Sequence, residues 1–380
     1  MMLDLWWRLP GPKAYMERIG RSLIEGQNVI AIIPEGEIRG LKDAVCEWIA
    51  ETRPFKNLNL DNISNPKASP ARYIHELFDR RIDASTVFNA RTLTQLNPLG
   101  GYAVWVENIA EEDLTNWFRF LESYQHACQC HDSYNRGTIC IALPSHISKS
   151  LPKCDIALVT HSWNNAVDRF DISTYINYYN SDKNCNSLLR RLKTVLISEL
   201  SLTDRQLAST LISYNLNELI DNTLEILSQN AHEKGWTLDQ CKNPTCDNGT
   251  LVHIEGSLLV HSSALAILDN HQTIERRIWT AQVSVLFPAL EQARIRLLNE
   301  LDGFLTVPFL TEFENIDKIE GLELGHIWHQ IKNKVLPSRL RTLIYQLLQI
   351  RINLAHLTPL KYSSINNPQL LKYLSGEGIA

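Results

Sequence analysis

The run Asn28 to Ile33 (NVIAII), followed by a Pro-Glu-Gly turn and then by Leu41 to Ala50 at helical spacing, limits the fold of this chain more than any other feature. A short β-branched apolar run is a strand, and strand, glycine-containing turn and helix in that order are the local plan of a phosphate-binding loop. The plan then repeats. Further strands are expected at Tyr102 to Val106, which ends in Glu107, at Thr138 to Leu143 and at Asp155 to Thr160, with helical segments between them. Alternating strands and helices predict an α/β domain with a parallel, doubly wound sheet over residues 1–185.

Beyond that point the periodicity changes to helical. Leu188, Leu192, Val195, Leu196 and Leu200 recur at helix spacing, and Thr203-Asp204 reads as a capped helix start. The stretch Leu207 to Leu227 carries Glu218, Asp221 and Glu225 and no basic residue, so it is a structural lid or winged-helix-like region and not a DNA-reading one. A hairpin is expected over Thr250 to Val260, turning at Glu255-Gly256. Residues 186–270 thus form a helical middle region, and 271–380 an all-α C-terminal bundle. In the bundle, Ile274 to Leu305 is amphipathic with Pro288 as a kink or helix start. A helix starting at Leu322 ends before Pro337. Ser338 caps the last long helix, Arg339 to about Leu357, which Thr358-Pro359 stops.

Bulk properties exclude several classes. At 44% hydrophobic and 21% charged, the 380-residue chain has an ordinary globular composition. A net charge of −5 gives no global pull toward nucleic acid, so any such contact must be local. No apolar run approaches the ~20 residues of a membrane span, and Met1 to Pro12 lacks a basic region ahead of an apolar core. Eight cysteines in a chain of this size fit reduced thiols, which places the protein in the cytoplasm. His126, Cys128, Cys130 and His131 form the densest group of metal-ligand residues, with Cys154 and His146 as possible neighbours, and Cys241 and Cys246 form a looser pair. Neither has the spacing of a zinc site, and no metal or other cofactor is expected.

The chemistry is expected near the end of the chain. Arg351 and His356 sit on the last long helix, in the segment R-I-N-L-A-H. A guanidinium holds a phosphate in fixed geometry, and an imidazole moves protons near neutral pH. At about 100° per residue the two side chains project roughly 140° apart, whereas Asn353 and His356 share a face. One helix cannot close such a site, but two copies across a two-fold axis can pool both residues in one cleft. There His356 would move the proton, Arg351 would hold the phosphate, and Asn353 would orient one of them. Lys332, Lys334, Arg339 and Arg341 form a basic cluster suited to an RNA backbone. Arg119 and His126 repeat a related spacing outside any bundle, so placement on the last helix carries the reading.

Two resemblances follow. The bundle over residues 290–365, with Arg351, His356 and the L-E-L-G stretch Leu322 to Gly325, resembles the HEPN superfamily of small helical ribonuclease domains, whose signature is an Arg and then a His after four to six intervening residues. The position after the Arg, usually polar in that family, is Ile352 here. The resemblance implies metal-independent RNA cleavage by a homodimer formed through the C-terminal domain. The order of elements over residues 15–185 resembles the core of AAA+ or STAND-type P-loop NTPases. Where that family has G-x-x-x-x-G-K-[ST], this chain reads Pro34-Glu35-Gly36-Glu37-Ile38-Arg39-Gly40-Leu41, without the lysine or the hydroxyl. Gly36, Gly40 and Glu107 are the remaining nucleotide-site candidates in a degenerate domain that is not expected to hydrolyse ATP. A regulatory domain ahead of a ribonuclease resembles bacterial (anti-phage) defence and toxin systems, which implies an RNA substrate and a partner protein of a defence operon. The alternative is an inactive adaptor that assembles such a complex.

Overall fold

Five strands of the first half pair side by side in parallel, in the order β2-β3-β4-β1-β5. The computed structural model describes residues 4–34, 37–62, 69–78, 87–180, 186–311 and 315–376. They fall into two units, Met1–Asp171 with Pro244–Leu259, and Ile172–Asn243 with Val260–Ala380. The first unit runs α1 (Pro10–Ile24), β1 (Asn28–Ile33), α2 (Ile38–Ile49), β2 (Phe55–Asn59), α3 (Pro70–Glu76), α4 (Ala90–Leu96), β3 (Ala103–Glu107), α5 (Leu114–Ala127), β4 (Thr138–Pro144) and β5 (Leu158–Ser162).

All six residues of β1 are buried, as a central strand covered on both faces requires. Ile30, Ile32, Val104, Val106, Ile139 and Ile141 face one layer and pack with Ile74, Leu93, Trp117 and Leu121 of α3, α4 and α5. The alternate residues face α1 and α2. β1 leads toward β2 on one side of the sheet and β4 toward β5 on the other, so the connections reverse between β1 and β4. A crevice at such a reversal, beyond the carboxyl ends of the strands, is where open α/β sheets bind ligands.

The expected strands are present, β5 shifted to Leu158–Ser162, and a further one, β2, lies at the sheet edge. Its sequence, FKNLN, is half-exposed and mixed, which fits an edge strand and hides it from a hydrophobicity reading. The guanidinium of Arg53, just before β2, is buried and donates to the carbonyls of Arg136 (2.7 Å), Ser133 (3.0 Å), Tyr134 (3.3 Å) and Ile24 (3.3 Å) and to Thr138 Oγ1 (3.2 Å). α6 (Arg169–Tyr179) follows the sheet in the chain. The expected hairpin is β6 (Leu251–Ile254) and β7 (Ser257–Val260), with Glu255 at φ 50° and Gly256 at φ 75°, the two positive values of a tight hairpin turn.

The second unit is largely helical: α7 (Ser187–Ser201), α8 (Arg205–Ile212), α9 (Leu216–Asp221), α10 (Thr223–Glu233), α11 (Leu238–Lys242), α12 (Ser262–Ile267), α13 (His271–Glu300), α14 (Leu324–Ile331), α15 (Ser338–Ala355), α16 (Tyr362–Ile365) and α17 (Pro368–Leu374). α13 runs 30 residues through Pro288 and packs against α7, α15 and α17 with Leu286, Leu290, Ala293 and Leu297 buried. Among the described residues, no helix is long and apolar enough to cross a membrane.

Asp204 caps α8 as the sequence suggests, accepting from the N–H groups of Gln206 (2.8 Å) and Leu207 (3.0 Å). Its other oxygen meets His261 Nε2 (3.1 Å) and Lys234 Nζ (2.9 Å). Burial alone would raise this carboxyl, but the His261 hydrogen bond and the Lys234 ammonium outweigh it and hold the group far below the usual carboxylate range. His261 Nδ1 accepts from Ser263 N–H, which leaves Nε2 as the protonated nitrogen. Burial lowers the His261 pKa, and Asp204 offsets only part of that.

The unfolded chain therefore takes up a proton near the ordinary imidazole pKa of about 6.5, while native His261 resists it. Its contribution is complete above that value and is lost as pH falls below it. Urea unfolding of the second unit from pH 7.5 to 5 should show this loss, with a shallower slope in His261→Gln. His161 in the first unit, also lowered by burial, contributes with the same sign.

Candidate functional site

Two places merit comparison with the chemistry expected from the sequence, one in each unit. The first is the crevice at the ends of β1 and β4. Gly36 lies outside the described residues. Gly40 sits in the first turn of α2 against the buried indole of Trp7; a Cβ there would come within 2.7 Å of Trp7 Nε1. Gly40 is thus explained by packing. The aromatic ring of Trp163, just after β5, stands 5.9 Å from Trp7, 6.5 Å from Trp6 and 4.9 Å from Tyr15, filling the ends of the strands with protein.

Glu107, at the end of β3, is already engaged. Lys42 Nζ of α2 lies 3.1 and 3.2 Å from its two oxygens, and Asn57 Nδ2 donates at 2.5 Å. Counted from Gly40 as the second glycine of a phosphate loop, Leu41 stands at the lysine position and Lys42 at the hydroxyl position. An ammonium therefore sits where a metal-binding hydroxyl would be, directed at the acid that would face the metal. These residues do not fit a magnesium-bound triphosphate. Lys42 was not singled out from the sequence; its signal is an isolated cation one position beyond the loop's lysine site. Lys42→Met leaves Glu107 a partly buried carboxylate without its cation and should cost about 1–2 kcal/mol in urea unfolding.

The second place is the C-terminal part of α15. Trp279 Nε1 of α13 donates to Leu354 O (2.7 Å), and the buried Gln282 exchanges two hydrogen bonds with the backbone of Leu360 (2.7 and 2.8 Å). These clamps fix the last turn. The helix closes with Thr358 N–H on Asn353 O and Leu357 N–H on Leu354 O, with Leu357 in the left-handed region at φ 58°. His356 is the C-cap residue. Its ring is exposed and makes no hydrogen bond or ion pair among the described residues, and the same holds for the half-buried Asn353 amide.

Arg351 is directed elsewhere. Its Nη2 lies 2.5 Å from Glu323 Oε2, and Glu323 also caps α14 in a reciprocal box with His326. Glu323 thus ties the start of α14 to α15 and neutralises Arg351. No hydrogen bond or ion pair joins Arg351 to His356 among the described residues, in keeping with their angular separation. Glu323 was read only as part of L-E-L-G; its charge was the available signal. Tyr345, Gln349, Ile352 and His356 follow one another at intervals of four, three and four and share a face. On that face Tyr345 and Ile352 are exposed, and Trp328 of α14 stands 5.2 Å from Tyr345.

The basic cluster divides. Lys332 and Arg339 are exposed, whereas Lys334 Nζ donates to Phe304 O and Arg341 Nη2 to Lys334 O (2.7 Å), bracing the turn between α14 and α15. Two expected details are corrected here. Pro337 occupies the N-cap of α15 with no side-chain cap, and Ser338 is the first helical residue. The helix begun by L-E-L-G is short, eight residues.

The cysteine and histidine residues of the first unit point to separate partners. Cys128 is buried against Asn28 and Gln125, His131 Nε2 contacts Thr94 O (3.1 Å), and His126 Nδ1 lies 3.6 Å from Asp155. Among the described residues no three His, Cys, Asp or Glu side chains converge on one point. Comparison with known proteins adds no assignment: no protein-family model matches the chain, and no curated protein matches it.

Proposed function

We propose that the second unit is a HEPN-type, metal-independent endoribonuclease that works as a homodimer through α15, in a bacterial defence or toxin setting, with the first unit as a degenerate NTPase-like regulatory domain. The observation that carries this reading is the exposed, unengaged His356 at the end of an uncovered stripe formed by Tyr345 and Ile352. A second copy laid on that stripe covers the apolar side chains and brings two imidazoles to one cleft, which the two Arg351 guanidiniums enter on leaving Glu323.

In that cleft His356 removes the proton from a ribose 2′-hydroxyl as its oxygen attacks phosphorus. The bond from phosphorus to the 5′-oxygen breaks, and a proton returns to that oxygen. Arg351 stabilises the phosphate charge, Asn353 orients the imidazole or the phosphate, and Lys332 and Arg339, with Lys334 and Arg341 behind them, hold the RNA backbone. The product is a 2′,3′-cyclic phosphate, and no metal takes part. Purified protein should cleave single-stranded RNA in EDTA with that end group.

One observation favours a second reading. The pair between Arg351 and Glu323 leaves the guanidinium already neutralised, as suits an inactive adaptor that assembles a defence complex. Absence of cleavage under any condition, together with a stable dimer, selects the adaptor.

A further inference from the structure

The first unit contains a cavity of about 440 Å³ between the starts of α3 and α4 and one face of α5. One wall is a single face of α5, where Asn116, Arg119, Phe120 and Ser123 recur at helical intervals. Facing it, Phe88 and Arg91 come from the start of α4. Among the described residues the lining includes two arginines and no carboxylate, in a chain whose net charge is −5. Arg91 and Arg119 are exposed, and neither makes an ion pair or a hydrogen bond through its guanidinium among the described residues. Other arginines of this unit are engaged: Arg53 on carbonyls, Arg72 on Glu76 at 2.8 Å, and Arg136 on the carbonyls of Gly26, Cys128 and His131.

We propose that this cavity binds a small phosphomonoester. Two guanidinium forks match the oxygens of one phosphate dianion, and the Asn116 amide N–H supplies a further donor. The volume lies within the ~300–1,000 Å³ of small-molecule sites, so the cavity holds an organic body beside the phosphate. Phe88 and Phe120 give that body an apolar surface, and Phe120 is itself held in the core by Trp117 and Tyr124. The site is independent of the ribonuclease reading and uses none of its residues.

The test is titration calorimetry on the full chain with 5′-AMP, inorganic phosphate and adenosine as probes. The expected result is saturable binding of 5′-AMP, weaker binding of phosphate and none of adenosine. Arg91→Gln and Arg119→Gln should each weaken 5′-AMP at least tenfold, and the double variant should abolish it. Arg276→Gln in the second unit should leave binding unchanged, which separates a local site from general charge. All three positions are exposed, and unchanged thermal unfolding without ligand confirms that the variants fold. Absence of saturable binding by either phosphate-bearing probe overturns the proposal. So does binding that the double variant retains, or adenosine binding as tightly as 5′-AMP.

Discussion

Arg53→Met is expected to destabilise the first unit by about 3 kcal/mol. The Arg53 guanidinium is the common donor for carbonyls from two stretches, the end of α1 and the segment 133–136, and for the Thr138 hydroxyl in the strand that follows. Among the described residues no carboxylate pairs with this guanidinium. The side chain acts as a polar hub in a loop crossing where backbone groups have no sheet to pair with. Methionine keeps the apolar stem and removes every donor, so several partly buried carbonyls and the buried Thr138 hydroxyl lose a partner, at up to ~1–3 kcal/mol each, less what entering water restores. Arg53→Lys should recover only part of the loss, since three ammonium hydrogens cannot reproduce five bonds. Urea unfolding followed by tryptophan fluorescence reads both, because Trp105 and Trp117 of this unit are buried. A loss under 1 kcal/mol in Arg53→Met would show that water replaces the guanidinium without cost.

His356→Ala should reduce RNA cleavage by about 10²–10⁴, the usual contribution of a positioned general acid or base. The fold should survive. His356 is exposed at the C-cap, and its backbone, not its ring, closes the helix through Ile352 and Asn353. Unfolding of the variant within ~0.5 kcal/mol of the wild type is therefore expected, and this separates lost chemistry from lost structure. Arg351→Ala is less clean, because it also releases Glu323 and the tie between α14 and α15. A cleavage rate unchanged in His356→Ala would remove the imidazole from the mechanism.

The legible parts of the fold are those where one physical term dominates. β1 and β4 are uninterrupted apolar runs because both faces are covered, and Asp204 announces α8 because its carboxylate serves the first N–H groups locally. β2 was hidden because an edge strand need not be apolar. The hub at Arg53 was hidden because most of its acceptors are backbone atoms, three of them some 80 positions away, which leave no side-chain pattern. Pro337 took the N-cap from Ser338 because its extended backbone (ψ 133°) brings the chain into the helix one residue earlier.

At the candidate sites, residue types were legible and pairings were not. The missing lysine of the phosphate loop was plain, yet only the fold places Lys42 against Glu107. The angular gap between Arg351 and His356 followed from helix geometry, but the capture of Arg351 by Glu323 depends on the packing of α14 against α15.

The central claim is that Arg351 and His356 act across two copies of the chain. Mixing Arg351→Ala with His356→Ala, after dissociation and reassociation, tests it most directly, with RNA cleavage in EDTA as the readout. Each parent alone should be inactive. In the mixture, dimers carrying one copy of each retain one intact guanidinium and one intact imidazole between them, and cleavage should return to about a quarter of the wild-type rate. A mixture as inactive as its parents, beside an active wild type, would contradict a site pooled between two chains.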